Sequence, residues 1–496
     1  MAVVCVDAGT TMIKAVGYGE DGAELAVERQ ATTVRHPAPG HAEQDLTEVW
    51  QAVVRGVRQV AERLDAPVTH LALTAQGDGS WLVDAAGEPT GPAILWNDGR
   101  AGTFVERWSR DGVLERAFRS NGSLTFAGLP NAILSWLREH DPDRLERSAA
   151  SLTCGGWIFA RLTGELVADE SDGSAPFMDI RARRYSDDLL RLYDMEWARP
   201  LLPELRGDDR RAAPLTASAA AELGLPEGIP VVLAPYDVAA TAIGVGAVGP
   251  GQACTILGTT LCTEVMMEEP QLDGTPSGLT VALGGRYLRA FPTLAGGQVV
   301  DWACRMLGLG DDPAALSDLA ARSVPGADGL VFLPYLSPAG ERAPFLDTRA
   351  RGSFLGLCVD HDREHLARAV LEGLCLVIRD CLAASGARPV ELRVSGGGSA
   401  SPHWLRMLAD VTGVPVVRTA DAEAGARGAF LVGAVATGRA ASEQEAAETY
   451  IRTGDTFAPD PANVAYYTDA YEAFLTVRAA TARSWPTLAN LRDGAA

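Results

Sequence analysis

The triplet Gly-Thr-Thr occurs twice, each time between two apolar runs: VVCVDAGTTMIKAV around Gly9, Thr10 and Thr11, and TILGTTLCTEV around Gly258, Thr259 and Thr260. Glycine lets a backbone fold tightly and come close to a ligand. Threonine hydroxyls and the free N–H groups of a turn together make a concave site for an anion. A single copy is equally explained by threonines pairing two strands of a hairpin. Two copies at domain spacing, the first just after Asp7, point instead to two similar domains. Their turns would grip the phosphates of a nucleotide from either side of a cleft. A third glycine cluster, Gly396-Gly397-Gly398-Ser399 in ELRVSGGGSASPHWLRMLADVTGVPV, lies between a strand and an amphipathic helix. It allows flat approach by a base or ribose, or is a plain strand–helix loop needing positive φ.

These residues need elements to hold them. VVCV and IKAVGYG read as strands flanking the first turn, and Gly22 marks a second hairpin. Val49, Val53, Val57, Val60 and Leu64 recur at helical steps, predicting a helix over 48–64. THLALTAQ predicts a strand ending in Gln76-Gly77-Asp78-Gly79. SWLVDAAGEPTG reads as a hairpin, and AILWNDGR as a strand ending in polar residues. Residues 100–230 read as largely helical. PVVLAPYDVAATAIGVGAVG joins a strand to a helix at Tyr236-Asp237, and its glycines at 244, 246, 249 and 251 read as a hinge. The strand–turn–strand pattern then restarts. The division expected is 1–245 and 246–496.

A chain of 496 residues is long for one core, which also argues for two or three domains. A formal charge of −21 with no basic, aromatic-interleaved cluster argues against nucleic acid as partner. No apolar run long enough to cross a membrane is present. MAVVCVDAG has no basic and then apolar leader, so a cytoplasmic protein is expected. The eight cysteines are scattered without a C-x-x-C pair, which predicts free thiols rather than zinc or disulfides.

Taken together, VDAGTT, EQDLTEVW, ILWNDGRA, YDVAATAIGVGA, ILGTT, LAGGQVVDW, LPYLSPAGERAPFLDTRARGSFLGL, EGLCLVIRD and SGGGSASPHWLRMLADVTGVPV resemble, in order and spacing, the FGGY carbohydrate kinases. The resemblance runs over roughly residues 3–450. It implies an α/β protein of two actin-like (ribonuclease H-like) ATPase domains with a central cleft, which uses ATP and Mg²⁺. By the resemblance, Asp7 holds the metal. Gly9, Thr10, Thr11, Gly258, Thr259 and Thr260 form the phosphate loops, and Gly297, Asp301, Gly397 and Ser401 contact the nucleotide. Asp237 is the catalytic base, and Gln76, Asp78, Trp96 and Asp98 line the sugar pocket. A homodimer is implied as well.

The residue chemistry bears on several of these roles. Mg²⁺ takes hard oxygen ligands and keeps most of its waters, which suits a single carboxylate such as Asp7. Asp7 also reads as a turn residue held by its own backbone. Asp237 reads as a helix N-cap, which would fix its direction and keep it ionised at neutral pH. Trp96 can pack on the C–H side of a polyol or fill core. Asp78 can accept two hydroxyl bonds or serve a tight turn. Arg100 is expected to pair with an acid, and Glu341 and Arg342 to be structural.

The substrate is less sharply written. Xylulose kinases commonly carry Gln-Met-His-Gly, and glycerol kinases Gln-Arg-Glu-Thr, where this chain has Gln76-Gly77-Asp78-Gly79. QGDGSWLVD with YDVAATAIG is closer to the L-xylulose and erythritol kinases. The expected acceptor is a ketopentose such as xylulose or L-xylulose, or a tetritol or pentitol such as erythritol, with glycerol or another polyol as the alternative. The rivals are an actin-like ATPase without a sugar and a non-catalytic sugar sensor.

Overall fold

A computed structural model describes residues 1–207, 210–420 and 422–493. The chain forms two compact units, Met1–Val248 with Glu268–Leu288 and Glu423–Ile451, and Gly249–Met267 with Arg289–Ala422 and Arg452–Ala496.

In the first unit β1 (Ala2–Ala8), β2 (Met12–Gly19), β3 (Glu24–Ala31), β4 (Val68–Ala75), β5 (Ala212–Pro214) and β6 (Pro230–Leu233) form one sheet, in the order β5-β6-β4-β1-β2-β3. β1 runs antiparallel to β2 and parallel to β4; β6 is parallel to β4 and antiparallel to β5. β1 is buried along its whole length, as expected of a strand with both faces covered. The helix Leu46–Ala61 covers the sheet with Val49, Val53, Val57 and Val60. It begins earlier than its apolar spacing suggests because the Asp45 carboxylate accepts the N–H groups of Thr47 and Glu48.

The second unit contains β7 (Gln252–Leu257), β8 (Leu261–Met267), β9 (Glu391–Ser395), β10 (Val416–Thr419) and β11 (Thr453–Phe457), neighbours in the order β8-β7-β9-β10-β11. β7 is antiparallel to β8 and parallel to β9; β10 is parallel to β9 and antiparallel to β11. The order and directions match β2-β1-β4-β6-β5, although β5 precedes β6 in the chain whereas β11 follows β10. The repeated Gly-Thr-Thr is thus the first turn of a repeated four-strand topology, β2-β1-β4-β6 and β8-β7-β9-β10. The helix Arg363–Ala384 fills the second core with Val370, Leu374, Val377, Ile378 and Cys381.

Three local expectations change. The strand Trp81–Val83 pairs with Ala150–Leu152, with only a single bridge, Val83 to Pro89, on its own hairpin side. The strand before Trp96 is two residues long, Ala93–Ile94. Gly244 is no hinge: it lies inside the helix Asp237–Gly244, and a Cβ there would stand 1.8 Å from the Ala424 carbonyl oxygen. Gly428 meets the Ala240 carbonyl in the same way. Glycine at both positions lets two helices of the first unit touch backbone to backbone. The eight cysteines are free thiols, all buried except Cys358. Among the described residues no helix is long and apolar enough to cross a membrane.

Candidate active site

In the first unit the turn after β1 closes with Gly9 N–H donating to the Met12 carbonyl at 3.1 Å. That hairpin register sets Asp7 directly across from Lys14. Lys14 Nζ stands 3.6 Å from Asp7 and 3.0 Å from Glu423, which Arg29 also pairs. Asp7 fits its place because Gly425 is bare; a Cβ there would lie 2.6 Å from Asp7 Oδ2. Burial nonetheless raises the Asp7 carboxyl above the ordinary carboxylate range, although Lys14 opposes the shift.

The predicted substrate residues join this turn through a ring of hydrogen bonds. Trp96 Nε1 donates to Thr10 Oγ1 at 2.9 Å, and Thr10 Oγ1 donates to Gln76 Oε1 at 2.8 Å. Gln76 Nε2 donates to Gln44 Oε1 at 2.8 Å, and Gln44 Nε2 donates to the Thr10 carbonyl at 2.7 Å. A hydroxyl has one hydrogen to give, and Thr10 gives it to Gln76. Thr10 therefore positions the loop that carries Gln76, while the exposed Thr11 hydroxyl makes no hydrogen bond among the described residues. Trp96 likewise offers a ligand its ring rather than its N–H. Gln44, a buried link of this ring, lies in the EQDLTEVW stretch, but the sequence alone assigns it no role.

Asp98 is buried, and both its oxygens are engaged. Ala42 N–H donates at 2.6 Å, Arg100 N–H at 2.8 Å, and the Arg100 guanidinium at 2.9 Å. Arg100 also reaches Glu43 at 2.7 Å. Asp98 thus braces the loop that carries Trp96. Asp78 takes a left-handed backbone, φ 56°, which aspartate tolerates better than most residues. The turn reading and the ligand reading of Asp78 are both compatible with that shape.

Asp237 departs from its expected state. The N-cap position of its helix belongs to Tyr236, and Asp237 is the first helical residue, accepting the Val238 N–H at 2.8 Å. Burial, with the charges of Asp7 and Asp78 adding to it, pushes its pKa up to about 7. Desolvation therefore outweighs the helix N-terminus, which sequence reasoning had taken as dominant. Asp172, which no sequence motif singles out, shares this surrounding. It is buried, its Oδ1 meets no partner among the described residues, and burial and Asp169 hold it well above the carboxylate range.

Asp7, Asp78, Asp172 and Asp237 act on one another electrostatically with Lys14 as the nearby cation. Among the described residues no three His, Cys, Asp or Glu side chains could hold a metal by themselves. Asp7 could offer one carboxylate to a hard cation that keeps most of its waters, as Mg²⁺ can.

In the second unit a cavity of about 550 Å³ is lined by Gly258, Thr259, Gly297, Asp301, Gly397 and Ser401. These are the nucleotide residues expected there, except Thr260, which does not line it. The Gly258 turn is tied down by N–H groups of Gly297 at 2.8 Å and Gln298 at 3.1 Å. A Cβ at Gly297 would stand 2.7 Å from the Gly258 carbonyl oxygen.

The three glycines after β9 have separate reasons. Gly396 has φ 86°, and a Cβ at Gly398 would meet the Trp404 ring at 2.5 Å. Gly397 has no protein atom within 4 Å of its would-be Cβ, so its bareness serves the cavity alone. The Ser401 hydroxyl is turned to protein, capping Trp404 N–H at 3.2 Å and bonding Ser317. Sequence reasoning missed the wall formed by Pro313, Ala314, Ser317 and Asp318, whose helix is capped by Asp312. Glu341 accepts the N–H of Leu294 at 2.7 Å, bracing the approach to Gly297 as a structural residue.

Comparison with known proteins places the chain in a family. Residues 2–244 match the N-terminal domain, and residues 253–437 the C-terminal domain, of the FGGY family of carbohydrate kinases. An erythritol kinase of Brucella abortus is 32% identical over 98% of both chains. A xylulose kinase of Escherichia coli is 32% identical over 82% of this chain and 84% of its own. The crystal structure of a xylulose kinase from Rhodospirillum rubrum superposes with a TM-score of 0.89 at 29% identity, covering 98% of this chain and all of that one. The fold is the α/β, actin-like ATPase fold of such kinases. The chain belongs to the FGGY family of carbohydrate kinases, and it is a phosphotransferase that uses ATP to phosphorylate an alcohol group of a sugar or polyol.

Proposed function

We propose that the acceptor is a four- or five-carbon polyol or ketose, of the erythritol or xylulose kind, and that it is phosphorylated by ATP with Mg²⁺. The observation that carries this reading is the placement of Asp237 at the start of its helix, next to Tyr236, which packs on the Gln76–Asp78 loop at Gly77; burial there also raises its pKa to about 7. A base is most effective when its pKa lies close to the working pH. In this reading the acceptor hydroxyl rests against Asp237, Asp78 accepts further hydroxyls, and the Trp96 ring faces C–H groups. The hydroxyl oxygen attacks the γ-phosphorus, the bond to the β–γ bridging oxygen breaks, ADP leaves, and the hydroxyl proton passes to the Asp237 carboxylate. Loose phosphoryl-transfer transition states demand positioning and charge neutralisation more than early deprotonation. Mg²⁺, held through Asp7, would supply much of that neutralisation.

The division of labour we propose places the acceptor, the metal and the first phosphate loop on the N-terminal half, 1–245. The second phosphate loop and the adenosine belong to 246–496. We take the site of action to be the cytoplasm, where ATP is supplied, and the active form to be a homodimer, which sedimentation at micromolar concentration would test. The relatives named erythritol and xylulose kinase support the choice of acceptor class. The deciding experiment measures ADP release with glycerol, erythritol, pentitols and pentuloses, each against a blank. Release that depends on a four- or five-carbon acceptor supports the reading. Equal release without any acceptor would identify an ATPase instead.

A further inference from the structure

Gly77 has no backbone need for glycine, since its φ lies outside the left-handed region. What it requires is room. A Cβ at Gly77 would stand 2.3 Å from Tyr236 Cδ2, 2.8 Å from Cγ and 2.9 Å from Cε2. These atoms lie near the root of the ring, so a small swing of its tip cannot relieve the clash. Tyr236 is 6% exposed, so its ring is enclosed, and its backbone N–H, which donates to Ser171 Oγ at 3.1 Å, ties down the main chain that carries it. Tyr236 is bonded to Asp237, and Gly77 stands between Gln76 and Asp78. The ring therefore packs on the loop that would hold the acceptor, and its residue adjoins in the chain the one that would take the proton.

We propose that Tyr236, admitted by the bare Gly77, is a wall of the acceptor site and sets the length of the alcohol that fits. The proposal rests on the kinase reading given above. An aromatic ring has two side-chain torsions and a large rigid face, so it yields little to a ligand. An acceptor with its reacting hydroxyl at Asp237 must run along that face, and added carbons at that end meet the ring. Gly77 and Tyr236 then form one steric unit. A side chain at 77 is tolerated only when the ring is gone, and the acceptor preference changes when either partner changes.

The test uses the full chain and four variants of the pair: wild type, Gly77→Ala, Tyr236→Gly and the double substitution. Each is assayed for kcat/KM with glycerol, erythritol, xylitol and a hexitol, and its thermal unfolding is followed. Tyr236→Gly should shift the ratio of kcat/KM for longer over shorter acceptors at least tenfold toward the longer, about the discrimination one methylene carries. Gly77→Ala alone should lose at least tenfold on the preferred acceptor or fail to fold. In the Tyr236→Gly background the same change should cost less than threefold and fold. The proposal is overturned by a Tyr236→Gly protein that keeps the wild-type length ratio within twofold. It is equally overturned by a double variant that is as impaired, or as unfolded, as Gly77→Ala. Acceptor-independent ADP release by the wild type is a different failure, that of the kinase reading itself.

Discussion

The pH dependence of turnover follows from the surroundings of Asp237. Burial, Asp7 and Asp78 move its pKa from 3.8 to about 7. To take the acceptor proton, the carboxyl must enter the reaction ionised. With both substrates below saturation, the rate constant reports ionisations of the free protein. It should rise with pH and reach half its plateau near 7. About a tenth of the sites are ionised one unit below that midpoint and about nine-tenths one unit above, so the rise across those two units is roughly tenfold. Had the helix N-terminus prevailed, the group would titrate at or below its ordinary value and the same interval would be flat. Direct ³¹P detection of ADP avoids coupling enzymes with pH optima of their own. A rate constant that is level from about pH 5.5 to about pH 8.5, in a protein that stays folded, would refute this placement of the base. Stability moves the opposite way. Because the folded-state pKa is raised, the native protein keeps a proton that the unfolded chain has released between the two pKa values. The stabilisation is fully present below 3.8 and is lost as pH rises through about 7. Asp7 and Asp172, also shifted upward, add in the same direction.

Other substitutions separate binding from folding. Gly397→Ala adds a methyl that touches no protein atom; unfolding should move by under about 1 kcal/mol, while ADP binding measured by calorimetry weakens by roughly tenfold or more. Gln44→Leu removes the acceptor of Gln76 Nε2 and the donor to the Thr10 carbonyl; it should cost about 2–3 kcal/mol of stability through unsatisfied buried groups, and lower kcat/KM for the acceptor in the fraction that remains folded. Gly244→Ala forces a Cβ against the Ala424 carbonyl and should destabilise by roughly 3 kcal/mol or more in urea unfolding.

Much of the architecture was legible because it is written in local pattern. The Gly-Thr-Thr turns are flanked by apolar runs, and a three-residue offset across such a hairpin would itself have placed Lys14 opposite Asp7. The cavity of the second unit was legible where glycines cluster, at 258, 297 and 397. What the sequence could not show depends on contacts between distant segments. Gln44 reaches the first turn from a two-residue strand. The Pro313–Asp318 wall carries no residue type that signals a nucleotide. Gly244 looks like a linker until the neighbouring helix is seen against it. The state of Asp237 was misjudged for a related reason: a helix N-terminus can be read from one segment, whereas burial among Asp7 and Asp78 needs three.

The proposed mechanism has the carboxylate at 237 deliver an alcohol to the γ-phosphate. It is tested most directly by Asp237→Asn, with ADP formation followed in the presence and absence of the preferred acceptor and ADP affinity measured in parallel. Acceptor-dependent turnover should fall by about a hundredfold or more while ADP affinity changes by less than about threefold. Turnover within a few-fold of wild type at full acceptor saturation would contradict it.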